Sequence, residues 1–548
     1  MKQLAWVQGD STPLDRAACL AVQRELMRAG WHFVADAGAA DAVLMWTRSG
    51  FAEDELIMSS DPGRTVVLLG PTVTADMPAL VEASGIVSRS WTPPHPSRLR
   101  PEGPSTWCAE ISPLGEDIEV FTPVLEVDKV RDSVDVWLSA PWGLKRQPML
   151  TYRRETGVMV FAPHLGHEEA TSADHRAVAR LLHFALRRVG GPGSARHGDA
   201  LGVGLLGYGA IGAEHARAAE QVPGLDLAVV CDRNRDRLEA VAASSARVRT
   251  TTDAAELLGA DVDVLVVSTP PDTHAEWAVR ALEAGKHVIV EKPLTITTSD
   301  ADEVLATAQR VGRRVVSYQN RRFDPDFLAV RHQIDDGSLG EVFHTETFIG
   351  GYAHPCNYWH SDADVSGGAI YDWGSHVIDQ LLALTPARIS HVTCVEHKRR
   401  WHDVSNADHT SLLLRFDDGS EASFVHSDLA AALKPRWFVL GTRGGLVSEW
   451  RTTSVLSRNE IGTLAEDRLA VTDTPPDIVR YGSDGARTAV SLPPARKYPF
   501  HIELVDDLVH DWPMTVTPQQ SRRVVAVMEA ARESAQLRGA PATVAGEA

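Results

Sequence analysis

The sequence predicts an α/β protein built from three units, and three observations carry that reading. Strand-like apolar runs alternate with helix-spaced segments in two separate stretches, the pattern of parallel sheets covered on both faces. Between them the stretch "RRVGGPGSARHGDALG", residues 187–202, replaces helix spacing with Gly, Pro, Ser and polar residues. From residue 321 onward the alternation gives way to long strands joined by hairpin signals. A chain of 548 residues is also too long for one core. The units are therefore 1–195, 196–320 and 321–548.

In the first unit "LAWVQG", "DAVLMWT" and "TVVLLG" read as buried strands and "LAVQRELMRAG" as a helix. The second unit repeats the rhythm. "GVGLLG" precedes the helix "GAEHARAAEQV", "DLAVVCD" precedes "RNRDRLEAVAASS", and "DVDVLVVSTP", "AEWAVRALEAGKHVIVEKP" and "ADEVLATAQRVGRRVVSYQN" complete it. In the third, "EVFHTETFIG", "ARISHVTCVEHKR", "TSLLLRFDDGSEASFVHSD" and "WFVLGTRGGLVSEWR" form an open, mostly antiparallel sheet, with "DDGS" and "TRGG" as hairpin turns. The tail "TPQQSRRVVAVMEAARESAQLRG" is a helix closed by glycine.

Composition narrows the function. With 44% hydrophobic and 23% charged residues the chain is an ordinary globular protein. A net charge of −19 disfavours nucleic acid and anionic membranes, which need a basic face. The start "MKQLAWVQGDSTP" has no leader-like apolar run, and no run approaches the ~20 residues of a membrane span. Cys19, Cys108, Cys231, Cys356 and Cys394 include no CxxC pair, as expected of reduced thiols in a cytoplasmic protein. In "HVTCVEH" strand alternation turns Cys394 away from His391 and His397, so no metal site is expected there.

Gly207, Gly209 and Gly212 form G-x-G-x-x-G between a strand and a helix. In that context the loop, with Tyr208, Ala210 and Ile211 between its glycines, is a dinucleotide cradle. Gly207 permits the turn, Gly209 the approach of a pyrophosphate, and Gly212 close helix–strand packing. Twenty residues on, Asp232 ends the second strand. There it either accepts ribose hydroxyls, favouring NAD, or caps the next helix. Arg233 beside it leaves NADP open.

Lys292 ends a later strand between Glu291 and Pro293. A partly buried lysine can have its pKa lowered for proton traffic, which an arginine cannot. The apolar helix "GGAIYDWGSHVIDQLL" carries Asp372, His376 and Asp379 on one face. By itself that stripe is either a hydrogen-bonded core histidine or a proton-transfer site.

Taken in order and spacing, "GLLGYGAIG", "STPPDTH", "EKPLT" and "GGAIYDWGSHVIDQ" resemble the Gfo/Idh/MocA oxidoreductases over about residues 200–540. The resemblance implies a Rossmann domain, then an α/β domain whose open sheet serves in relatives as an oligomer interface, so a dimer or tetramer is expected. It implies a small-molecule partner, a sugar, glycoside or cyclitol, with NAD as hydride acceptor. It also matches Lys292, Asp372 and His376 to catalytic positions and sets Thr269, Pro270, Pro271, His274 and Glu291 along the cofactor. His376 suits the base and Lys292 the stabiliser of a developing alkoxide. Asp372 either orients substrate or supports the imidazole, while Asp379 reads as a structural acceptor below. Gly367 and Gly368 would admit a bulky ring. Asn320, Arg321, Trp359 and His360 are substrate contacts or loop packing.

The end of the first unit, "GVMVFAPHLGHEEATSADHRAVARLLHFALRRVGG", resembles ThuA-like trehalose-utilisation domains, which are flavodoxin-like and amidotransferase-like. "PTVTADM" after "TVVLLG" lacks a cysteine elbow, so His167 and Glu168 read as structural in an auxiliary domain. Besides a dehydrogenase, the same residues leave open a redox-elimination glycosidase and a non-catalytic dinucleotide-binding regulator.

Overall fold

The computed structural model describes residues 2–8, 12–35, 37–46, 65–69, 78–102, 105–163, 167, 170–189, 200–355, 358–450, 452–458, 464–470 and 476–547. Most of the glycine-rich seam, Glu168, the 71–77 stretch, Cys356 and Asn357 lie outside them. The chain divides into two compact units: residues 1–199 with 502–514, and residues 200–501 with 515–548. No described helix is long and apolar enough to cross a membrane.

The first unit holds a nine-stranded sheet. Five strands are parallel, ordered Trp31–Val34, Lys2–Gln8, Ala42–Trp46, Thr65–Leu69 and Val158–Phe161. This is the 2-1-3-4-5 order of flavodoxin-like sheets. The sheet then continues antiparallel through Lys145–Arg153, Val134–Trp142, His95–Pro101 and Ile118–Thr122. Periodicity in the sequence does not single out this half, because its strands mix polar and apolar residues without a clean alternation. Residues 502–514, read from sequence as part of the last domain, pack with this unit. Trp512 is buried in its core, and Arg180 grips Asp506 with two bonds of 2.7 and 3.1 Å.

In the second unit a six-stranded parallel sheet has the order Arg249–Thr251, Leu225–Cys231, Leu201–Leu206, Val264–Val267, His287–Val290, Val315–Ser317. That 3-2-1-4-5-6 arrangement is the Rossmann order, with a ligand crevice where the winding reverses beyond the first strand. An eight-stranded sheet follows. It is antiparallel except where Val342–Gly350 runs parallel to Glu421–Ser427. The hairpins fall where the turn signals stand, between His409–Phe416 and Glu421–Ser427 and between Trp437–Gly441 and Gly444–Glu449.

Helix Ala369–Leu384 and the closing helix Pro518–Gln536 belong with both sheets to one apolar core. Helix Pro518–Gln536 opens with a capping box of Thr517 and Gln520. Along it, Ser534 accepts from Cys394 N–H at 2.9 Å and Glu529 from Thr298 N–H at 3.2 Å.

Candidate active site

The glycine loop leaves the first Rossmann strand as the sequence predicts. Gly207 has φ +94°, and a Cβ there would stand 2.2 Å from the Ser268 carbonyl oxygen. A Cβ on Gly212 would meet the Gly207 carbonyl at the same 2.2 Å, so helix and strand ends touch through backbone. Around Gly209, the N-cap of helix Ala210–Gln221, nothing lies within 4 Å. That open position fits a pyrophosphate against the first-turn N–H groups, including those of Ala210, Ile211 and Gly212.

Asp232 is buried, and it accepts from Tyr208 N–H at 2.6 Å, Asn234 N–H at 2.7 Å and Arg237 at 3.2 Å. Burial raises its pKa, but the N–H groups of Asn234 and Tyr208 and the Arg237 guanidinium outweigh this and hold it below the usual carboxylate range. The carboxylate is thus ionised where an adenosine ribose would sit. The guanidinium bonded to it belongs to Arg237 rather than to the adjacent Arg233. Arg237 was missed because helix spacing, not adjacency, returns a side chain to the strand end.

Two residues expected along the cofactor have other partners. His274 is fully buried, with Nδ1 2.8 Å from the Pro293 carbonyl and Nε2 2.8 Å from that of Thr269. Both ring nitrogens thus face loop backbone, and burial holds its pKa below 6.5. Glu291 spends Oε1 on His215 at 2.7 Å and Oε2 on Lys292 N–H at 3.3 Å. Thr269 receives the Thr273 hydroxyl at 2.7 Å, and Pro270 and Pro271 lead into the turn Pro271–Thr273.

Lys292 Nζ donates to Asp372 Oδ1 at 2.7 Å and to its backbone carbonyl at 3.3 Å. The strand end of one sheet thereby meets helix Ala369–Leu384. Burial raises the Asp372 carboxyl, but the Lys292 ammonium more than offsets this and keeps it below the usual range. His360 Nδ1 lies 3.9 Å from the same oxygen, and Trp359 stacks on the His360 ring at 3.6 Å. Asp372 therefore pairs with Lys292, not with the imidazole one turn on.

His376 is buried, and its Nδ1 has no hydrogen-bond partner. Burial, reinforced by the charges of Lys292, Arg321 and Arg436, holds its pKa well below 6.5, so the ring is neutral near pH 7. Arg321 bonds Asp324 at 3.2 Å and covers Trp373 at 5.0 Å; burial pushes Asp324 up to about 6. Asn320 brings a buried, unpartnered Oδ1 to the same strand exit. Asp379 is gripped by Arg322 through two 2.6 Å bonds, a structural pair whose cation the sequence reading missed. Gly367 and Gly368 have φ +86° and +103°. A Cβ on Gly367 would lie 2.7 Å from Tyr371, so that glycine makes room for a core ring rather than a ligand.

A Rossmann sheet with an open glycine cradle, followed by an open sheet whose helix meets a strand-end lysine, defines a class of nicotinamide-dependent oxidoreductases. Residues 201–319 match the oxidoreductase family with NAD-binding Rossmann fold, and residues 327–447 match the GFO/IDH/MocA C-terminal domain. The chain belongs to this Gfo/Idh/MocA family and is an NAD-binding oxidoreductase. It is 32% identical over 253 residues to the uncharacterized oxidoreductase YdgJ of Escherichia coli strain K12, covering 45% of this chain and 71% of that one. It is 33% identical over 251 residues to the inositol 2-dehydrogenase of Rhizobium meliloti strain 1021, covering 45% and 74%. Among solved structures, an NAD-binding protein from Listeria innocua superposes with a TM-score of 0.55 at 28% identity, over 64% of this chain and 98% of that one.

Proposed function

We propose that the protein oxidises a secondary hydroxyl of a sugar, glycoside or cyclitol, with Lys292, His376 and Asp372 as the catalytic group. The observation that carries this reading is the 2.7 Å bond by which Lys292 reaches Asp372, one turn before the buried His376 on the same helix. NAD, when bound, would supply a nicotinamide ring able to take up the hydride that the substrate's C–H bond gives up as C=O forms. The His376 imidazole would take the O–H proton. Lys292 holds positive charge at the oxygen as alkoxide character develops, and Asp372 aims the ammonium. A neutral imidazole is the form a base needs. Asn320, Arg321, Trp359 and His360 border this centre and would bind ring hydroxyls.

The ionised Asp232 would repel a 2′-phosphate, which favours NAD over NADP. The inositol 2-dehydrogenase relative supports the cyclitol arm. The broad sheet supports a homodimer or homotetramer, the acidic net charge and the free Cys19, Cys231 and Cys394 a cytoplasmic protein. The 2-1-3-4-5 sheet of the first unit supports an auxiliary domain of the ThuA-like, amidotransferase-like kind.

Incubation with NAD and a panel of inositols, pyranoses and aryl glycosides tests the reading. NADH accumulation with at least one polyol or sugar is the expected outcome. Aglycone release without net NADH would replace oxidation by redox elimination, and no turnover across the panel would overturn the substrate class.

A further inference from the structure

Behind the strand end that carries Lys292 runs a hydrogen-bonded chain that the proposed chemistry does not use. His215, on the helix opened by the glycine loop, places Nε2 2.7 Å from Glu291 Oε1 and Nδ1 2.9 Å from Nε2 of His501. All three side chains are buried. The other Glu291 oxygen accepts the Lys292 N–H. Tyr318 covers the chain, its ring 4.3 Å from His215 and 5.4 Å from His501, and donates its hydroxyl to Glu214 at 2.8 Å.

The donors order themselves. A carboxylate cannot donate, so His215 Nε2–H does, and the Nδ1 of a neutral ring is then an acceptor. His501 must therefore donate from Nε2, which leaves its own Nδ1 a bare lone pair; that atom is buried without a partner. Charging His501 would bury an unpaired N–H there. Burial, with His215 adding to it, holds the His501 pKa well below 6.5. The chain is thus fixed in one tautomeric direction, pointing its last N–H at Glu291.

We infer that His215, oriented by His501, is a positioning residue for Lys292: it holds the Glu291 carboxylate aimed at the Lys292 backbone N–H, and so sets the reach of the ammonium to Asp372. This rests on the assignment of Lys292 to the catalytic group. Without His215, Glu291 would be a buried carboxylate short of a donor, with nothing to hold its orientation. The Lys292 N–H would then lose its fixed acceptor, and the strand end would loosen. The titratable groups facing Glu291 and the two rings are His215, His501, His274 and Tyr318, with Glu214 and Tyr498 behind the tyrosine.

The test compares His215→Leu with His215→Gln in the full-length enzyme, since glutamine can still donate to Glu291. With a substrate from the panel, kcat of His215→Leu is expected to fall about tenfold or more, with KM for NAD within about threefold. His215→Gln should stay within about threefold of wild type in kcat. Imidazole and amide ¹⁵N shifts supply an arm that needs no turnover. Nε2–H tautomers at His215 and His501, and a Lys292 amide that moves in His215→Leu but not in His215→Gln, are expected. Equal kcat for both variants, or an Nδ1–H tautomer at His215, would overturn the inference. Wild-type inertness toward the panel would sink the substrate reading alone, and the resonance arm would still decide the chain. Should His215→Leu not fold, His215→Gln and the wild-type tautomers carry the decision.

Discussion

The protein holds two sheets with parallel α/β portions, and the residues described at their strand ends differ. In the first unit three of the five parallel strands end on Trp46, Leu69 and Phe161, all buried and apolar, and the other two on Val34 and Gln8. In the second they end at Gly207, Asp232, Thr269 and Lys292: an open cradle, an ionised carboxylate, a hydroxyl and an ammonium. Both sheets use continuous apolar strands to bury both faces. The architecture is therefore silent about chemistry, and the one or two residues past each strand of the second unit decide whether its crevice can hold a charged ligand.

The largest predicted effects break the second sheet's strand end. Lys292→Ala should cut kcat/KM about 10²–10³-fold and His376→Ala about 10²–10⁴-fold, read as NADH formation, with NADH binding retained. Near wild-type turnover in either would remove the catalytic assignment. Next come the glycines. Gly212→Ala forces a Cβ into the Gly207 carbonyl and should lower both stability and NADH affinity, whereas Gly209→Ala, with open space around it, should lower affinity at unchanged melting temperature. Fluorescence titration and thermal unfolding separate the two.

Beneath the site, Arg322→Ala strands a buried Asp379 and should cost about 3–5 kcal/mol by urea unfolding. That penalty has no equivalent at exposed pairs such as Arg98–Glu119.

A milder effect comes from pH. His274, His376 and His501 in the second unit, and His175 and His510 in the first, are held below 6.5, His510 at about 4. The unfolded chain then takes up protons near 6.5 that the folded one refuses. Stability is full above that value and falls as pH drops through it, which denaturant midpoints at stepped pH will read. The smallest effect is expected for Arg233→Ala, an exposed side chain, which should leave the NAD-to-NADP preference unchanged, while Arg237→Ala shifts it.

Much of this was legible in the sequence because it is local. Strand and helix rhythm, the glycine loop before a helix, the hairpin turns and the Asp372–His376 spacing all depend on neighbours within a few residues. The antiparallel half of the first sheet was not, because its strands carry no clean period.

The sequence by itself determined the elements, the cradle and the residue types that can move a proton or steady a negative oxygen. Only the tertiary structure decided who pairs with whom. It gave Asp372 to Lys292 rather than His376, Asp379 to Arg322, Glu291 to His215, and the strand-end carboxylate to Arg237. The reason is physical. A buried charge or ring nitrogen takes the partner that desolvation leaves within about 3 Å, and that partner lies 5 residues away for Asp232 but 76 for Glu291 and 80 for Lys292.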